Sequence, residues 1–342
     1  MLAAALTSLL LAAPIAADAK TKTPPRGYRL HRTIALPGNE RWDYLAVDPE
    51  ARRLYVTRDE RVVVLDLATE KVVGEVTGTP GVHGVALATE LKRGFASNGR
   101  SDSVTIFDLE RLTVLDQVPV GKQPDAILYD PFARRVFAFS GGSASATAIL
   151  AADGSVAGTV DLGGRPEFGV SDGKGAVFVN IEDKNEVVAF DSRDLKVRSR
   201  WPLAPCETPT GLAMDRTKRR LFVGCRSQVM AVLDADSGKL LATLPIGKGV
   251  DGVAFDEAGG LAFASNGDGT LTVVGEDAPG HFVVKEAVTT LPGARTLALD
   301  PKAHRIYLAT AQFGPAPPAT PESPRAGRPM LPGTFVILVL GR

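Results

Sequence analysis

Seven polar residues recur at steps of 40 to 44 along the chain: Asp43, His83, Asp125, Glu167, Thr210, Asp251 and Arg295. Four carry carboxylates; the others carry an imidazole, a hydroxyl and a guanidinium. Carboxylate oxygens and an imidazole nitrogen are ligands that suit Ca2+, Mn2+ or Zn2+. Asp43, His83, Asp125 and Glu167 stand on four consecutive copies of the repeat and are the candidate metal ligands. A pair of these carboxylates could also serve as general acid and base. The spacing does not say which groups meet, so no catalytic residue is assigned.

A recurrence this regular must come from the elements that carry it. The pentapeptide FASNG occurs at 95–99 and again at 263–267, 168 residues apart, or four times 42. A unit of about 40–50 residues is the length of a four-stranded propeller blade. In the first unit, short β-rich runs at 44–47, 53–57, 61–65 and 71–76 alternate with polar turns, the pattern of an antiparallel meander. The second run returns seven times, as RRLYVT, KRGFASN, RRVFAFS, GAVFVN, RRLFVGC, GLAFASN and HRIYLAT. The last unit stops after its third run, 334–340, while a spare run at 28–38 precedes the first unit. One strand too many in front and one too few behind predict a closed ring. The expected fold is all-β: a seven-bladed β-propeller over 27–342 with four-stranded antiparallel blades. Its N-terminal strand completes the last blade, and closure protects the strand edges.

The repeat RRLYVT…VVVLDLATEKVVGEV and its copies resemble the YVTN, or YncE-like, family of bacterial seven-bladed β-propellers. The resemblance covers about residues 27–342. It implies an exported protein and leaves the activity open, since related blades occur in binding proteins, redox-enzyme subunits and lactonases.

In such a meander the start of the first strand lies nearest the axis. The seven recurrent residues should therefore rim the mouth of the central channel. Trp42 adjoins them, and the turns after the second strands should add Arg58, Asn98, Asn180, Arg226 and Asn266. The rim either lines a pocket for a small ligand, cation or peptide or merely solvates the channel. Cys206 precedes a first strand and Cys225 ends a second. Antiparallel pairing brings them together, so a disulfide is expected. Residues 311–333 form an oversized proline-rich connection, expected to be extended and on the channel face. It would serve as a lid, a docking arm or a tolerated insertion, with Phe313 and Met330 packing down.

The bulk composition excludes little. The chain has 342 residues and zero formal net charge, with no basic run that would mark nucleic-acid binding. An apolar opening run ends in Ala17-Asp18-Ala19, a small-x-small pattern, so 1–19 reads as a signal peptide and 20–26 as a flexible leader. The run is short for a membrane span; an uncleaved anchor is the alternative. No span is expected after its removal. The expected location is the periplasm or outside the cell, and the expected state a monomer. There is no C-x-x-C-H, P-loop, G-x-S-x-G or H-E-x-x-H, hence no haem or nucleotide motif; a divalent cation is the one cofactor considered. The preferred reading is an exported, non-catalytic binding or scaffold propeller holding a small ligand, peptide or periplasmic protein. Its alternatives are a metal-dependent, lactonase-type hydrolase and an accessory subunit of a periplasmic redox or metal-handling system.

Overall fold

The computed structural model describes residues 27–317 and 328–342; the expected signal peptide and leader, and the middle of the proline-rich connection, lie outside these residues. The described residues form seven four-stranded antiparallel sheets arranged as a propeller. Blade one runs Leu45–Asp48, Arg53–Arg58, Arg61–Asp66 and Lys71–Thr77 from the axis outward. The two middle strands are buried almost throughout, because neighbouring blades cover both of their faces. That is why they read as continuous apolar runs rather than as alternation. The outer strand exposes most of its residues and buries Val76.

The ring closes as expected. Arg29–Ala35 pairs with Val336–Gly341, so the last blade takes its outer strand from the start of the propeller. At the first turn of blades one, five and seven, Asp48, Asp215 and Asp300 accept backbone N–H bonds of 2.8–3.0 Å from residues two or three further on. A short acidic side chain is thus used as an Asx turn.

One aromatic per blade builds the core between blades. Tyr55, Phe95, Phe137, Phe178, Phe222, Phe263 and Tyr307 occupy the same position of the second strand, and all are buried. Tyr55 meets Phe107 of the next blade, Phe137 meets Phe190 and Phe222 meets Phe255, with ring centroids 6.2, 5.2 and 5.1 Å apart. In blade five, Cys206 and Cys225 form a fully buried disulfide with Cα atoms 5.7 Å apart. The expected bond is present because the start of the first strand and the end of the second share one edge.

Phe263→Ala should lower unfolding stability by about 3–5 kcal/mol, the cost of truncating a buried ring that cannot be refilled. Denaturant titration followed by circular dichroism measures it. A loss below ~1 kcal/mol would mean that the blades are not locked by this position.

Candidate functional site

The backbone around the axis is fixed by side chains that reach from one blade to the carbonyls of the next. Ser97 donates to the Asp125 carbonyl, Asn180 to Thr210 at 2.8 Å, Thr210 to Val250 at 3.0 Å, Ser265 to Arg295, and Thr296 to Asp43 at 2.8 Å. The Tyr44 N–H completes the step from blade one to blade two, at 3.0 Å from the His83 carbonyl. Five of these six carbonyls belong to rim residues, so the belt sets where the rim side chains start.

Tyr44 and Phe168 fill the axis at the next position along the inner strands. They come from blades one and four, yet their ring centroids are 4.9 Å apart. The Tyr44 hydroxyl donates to the Asp251 carbonyl of blade six at 3.0 Å. The equivalent residues elsewhere are Gly84, Ala126, Gly211, Gly252 and Thr296, small enough to admit the two rings. A Cβ on Gly211 would lie 2.6 Å from the Val253 nitrogen, so the inner strands approach closely there. The mouth is therefore a cup with an aromatic floor. Burial, reinforced by Asp251, Asp43, Glu167 and Asp125, holds the Tyr44 phenol well above its usual pKa and keeps it a donor.

His83 stands between two acids in this cup. Its Nδ1 is 2.7 Å from Asp43 Oδ2 and 3.6 Å from Asp125 Oδ1. One ligand atom from each of Asp43, His83 and Asp125 can be chosen so that all three lie within 4.8 Å of one another. Burial works against the imidazolium, but the bond to Asp43 and the charges of Asp125, Asp43 and Glu167 outweigh it and raise His83 to about 9. Burial and the charge of Asp43 raise Asp125 to about 6. Glu167 goes further, to about 8, through burial and the charges of Asp125, Glu182 and Asp251, against a smaller pull from Arg226. Asp251 is raised to about 6, chiefly by burial, although Arg295 Nε lies 2.9 Å from it and an Arg226 nitrogen 3.7 Å.

Other residues expected at the mouth are placed elsewhere. Asn98 and Asn266 are fully buried, their amides bonded to the third-strand hydroxyls of Ser103 and Thr105, and of Thr270 and Thr272. Asn180 and Thr210 are buried in the belt. Arg58 is buried, bonded to Glu40 at 2.9 Å with its guanidinium 3.9 Å above the Phe335 ring. The reason is register, counted from the core aromatic of each blade. Asn180 matches Ser97 rather than Asn98, while Arg226 matches Gly99. Strand side chains alternate faces, so an error of one residue swaps interior for surface. The position that does face the cup holds Gly99, Glu182, Arg226 and Gly267. Glu182 was missed; it lies 3.3 Å from Arg165 and 3.5 Å from Arg226. Gly99 leaves room for the imidazole, since a Cβ there would sit 2.7 Å from His83 Nε2.

No protein-family model and no curated protein sequence matches the chain. Among solved structures it is similar to a hydrazine synthase chain of Kuenenia stuttgartiensis, with a TM-score of 0.70 at 15% identity over 80% of this chain and 94% of that one. It is also similar to a chain in the crystal structure of a mitotic checkpoint complex, with a TM-score of 0.73 at 15% identity over 89% and 96% of the two chains. What is shared is the propeller fold.

Two titrations follow. A carboxyl with a raised folded pKa costs nothing below its unfolded value and its full penalty above the folded one. Glu167→Gln should therefore match the parent Tm near pH 4 and exceed it by a growing margin up to about pH 8, constant beyond; scanning fluorimetry from pH 4 to 9 reads the margin. The imidazolium contribution of His83 is complete below about pH 6.5 and lost by about pH 9. Gly99→Ala should displace the ring and return its NMR titration towards the ordinary value near 6.5; an unmoved midpoint would mean that the ring does not depend on the space at Gly99.

Proposed function

We propose that the chain is an exported, non-catalytic binding propeller that holds a small ligand in the cup at its channel mouth. One observation carries this reading. Asp43 and Asp125 flank the single imidazole of His83, with Glu167 at the same position of the next blade, and among the described residues no Lys or Arg nitrogen lies within 4.0 Å of any of these three acids. With Glu167 protonated near neutral pH, the carboxylates of Asp43 and Asp125 against one imidazolium still leave an excess of negative charge in a partly desolvated cup with an aromatic floor. A cationic group, an ammonium or a divalent metal ion, complements it. The repeat is of the YVTN, YncE-like kind on this reading. Export is supported by the disulfide, which an oxidising compartment maintains, and no helix among the described residues is long and apolar enough to cross a membrane.

A second reading, a metal-dependent hydrolase of lactonase type, is favoured by the Asp43, His83 and Asp125 cluster. Its two carboxylates and one imidazole are a donor set that fits Mn2+, Ca2+ or Zn2+. Such an ion would polarise a bound carbonyl. Asp43 would hold the His83 ring in place, and Glu167, protonated near neutral pH, could give up its proton as the cation enters.

Calorimetry with Mn2+, Ca2+, Zn2+ and a set of primary amines tests both readings. Binding by one of these cations should be tighter at pH 8.5 than at pH 5 and fall about tenfold or more in Asp125→Asn. Absence of binding by every cation would overturn the cup as a cation site. Turnover of lactones by the metal-loaded protein would replace the first reading with the second.

A further inference from the structure

Beside the acidic cup lies a second concavity of opposite character. It is a cleft of about 430 Å³ between blade one, blade seven and the base of the proline-rich connection. That volume falls in the range of small-molecule sites. Its walls include Arg41, Trp42, Asp43, Arg295, Phe313 and Arg328. Three guanidiniums face one carboxylate, so the cleft carries the positive excess that the cup lacks.

Two of these side chains make an apolar wall. The Trp42 and Phe313 rings are 6.0 Å apart and tilted by 36°. Trp42 is backed by Phe335 at 5.0 Å, and Phe335 in turn by the buried guanidinium of Arg58. Phe313 is held by a short antiparallel ribbon: it pairs with Met330, Gly314 N–H donates to Pro329 at 2.8 Å, and Leu331 N–H donates to Gln312 at 2.8 Å. Arg328 ties the same ribbon, with Nε 2.8 Å from the Gly314 carbonyl and Nη2 3.2 Å from that of Phe313. The wall is thus in place before any ligand arrives.

The guanidiniums keep donors in reserve. Each carries five N–H groups in a planar fork. Arg295 engages Asp251 through Nε. Arg328 uses two nitrogens on its own ribbon, and among the described residues no acid lies within 4.0 Å of Arg41 or Arg328. Forks of this kind match the paired oxygens of a carboxylate or phosphate.

We propose that this cleft binds a small organic anion bearing a flat ring, its ring against Trp42 and Phe313 and its anionic group on Arg41, Arg295 and Arg328. The proposal rests on the channel face being a ligand-binding surface, and it adds the class of ligand. Asp43, shared with the cup, would accept from a hydroxyl or amine elsewhere on the same molecule.

The test is calorimetry with benzoate, phenyl phosphate, cyclohexanecarboxylate, inorganic phosphate and benzylamine, with Trp42 fluorescence as a second readout. Benzoate or phenyl phosphate should bind, and the tighter of the two names the anionic group. Arg41→Gln and Arg328→Gln should each weaken that binding by about tenfold. Phe313→Ala should bring the aromatic acid down to the level of cyclohexanecarboxylate, whereas Arg198→Gln, exposed on the outer strand of blade four, should leave it unchanged. Equal binding of inorganic phosphate, or of cyclohexanecarboxylate to the parent protein, overturns the ring-bearing ligand. If cations bind the cup but no anion binds the cleft, this inference fails and the channel-face reading stands; if neither binds, both fail.

Discussion

The whole channel face hangs on a belt of hydrogen bonds from side chains to the inner-strand carbonyls of the next blade. Ser97, Asn180, Thr210, Ser265 and Thr296 each close one step of it. These groups are buried, and a buried carbonyl left without a donor is costly. The belt therefore does more than hold the blades together. It fixes the backbone from which the rim side chains leave, so that groups of like charge remain close although their repulsion favours separation. The step from blade three to blade four is the exception: two residues beyond its core aromatic Phe137, where Ser97 and Ser265 stand on their blades, blade three carries the buried Phe139, whose side chain has no donor.

Charge on this face is sorted rather than averaged. Acids without arginine partners collect over the axis, while arginines collect under the base of the proline-rich connection. Asp251 sits on the boundary between them, held by Arg295 and approached by Arg226. A chain of zero net charge thus presents two fields of opposite sign within one mouth. Local fields of this kind select ligands in a way that the total charge does not reveal.

The ring, the blade count and the closure by the first strand were legible in the sequence, because each rests on a pattern repeated seven times. Cys206 and Cys225 were legible for the same reason, since strand pairing alone brings them together. Depth within the cup was not. Asn98, Asn180 and Asn266 look alike as letters, but they occupy two registers of a strand whose faces alternate. Only the buried aromatic at Phe95, Phe178 and Phe263 separates those registers. The floor was also hidden, because Tyr44 and Phe168 lie 124 positions apart and meet only because their blades face each other across the axis. Glu182 escaped notice since its position is glycine in the two FASNG copies.

Closure through Arg29–Ala35 has a consequence for the order of events in the cell. The strand that Val336–Gly341 needs as its outer neighbour is among the first parts of the propeller to be made, and its partner is the last. Until the final strand has left the ribosome, blade seven lacks its third strand and the ring has a gap. The nascent chain can fold blades but cannot complete the circle. Such a ring stays open for the whole of the propeller's synthesis, and its closure waits on a contact between the two parts of the fold that are made furthest apart in time.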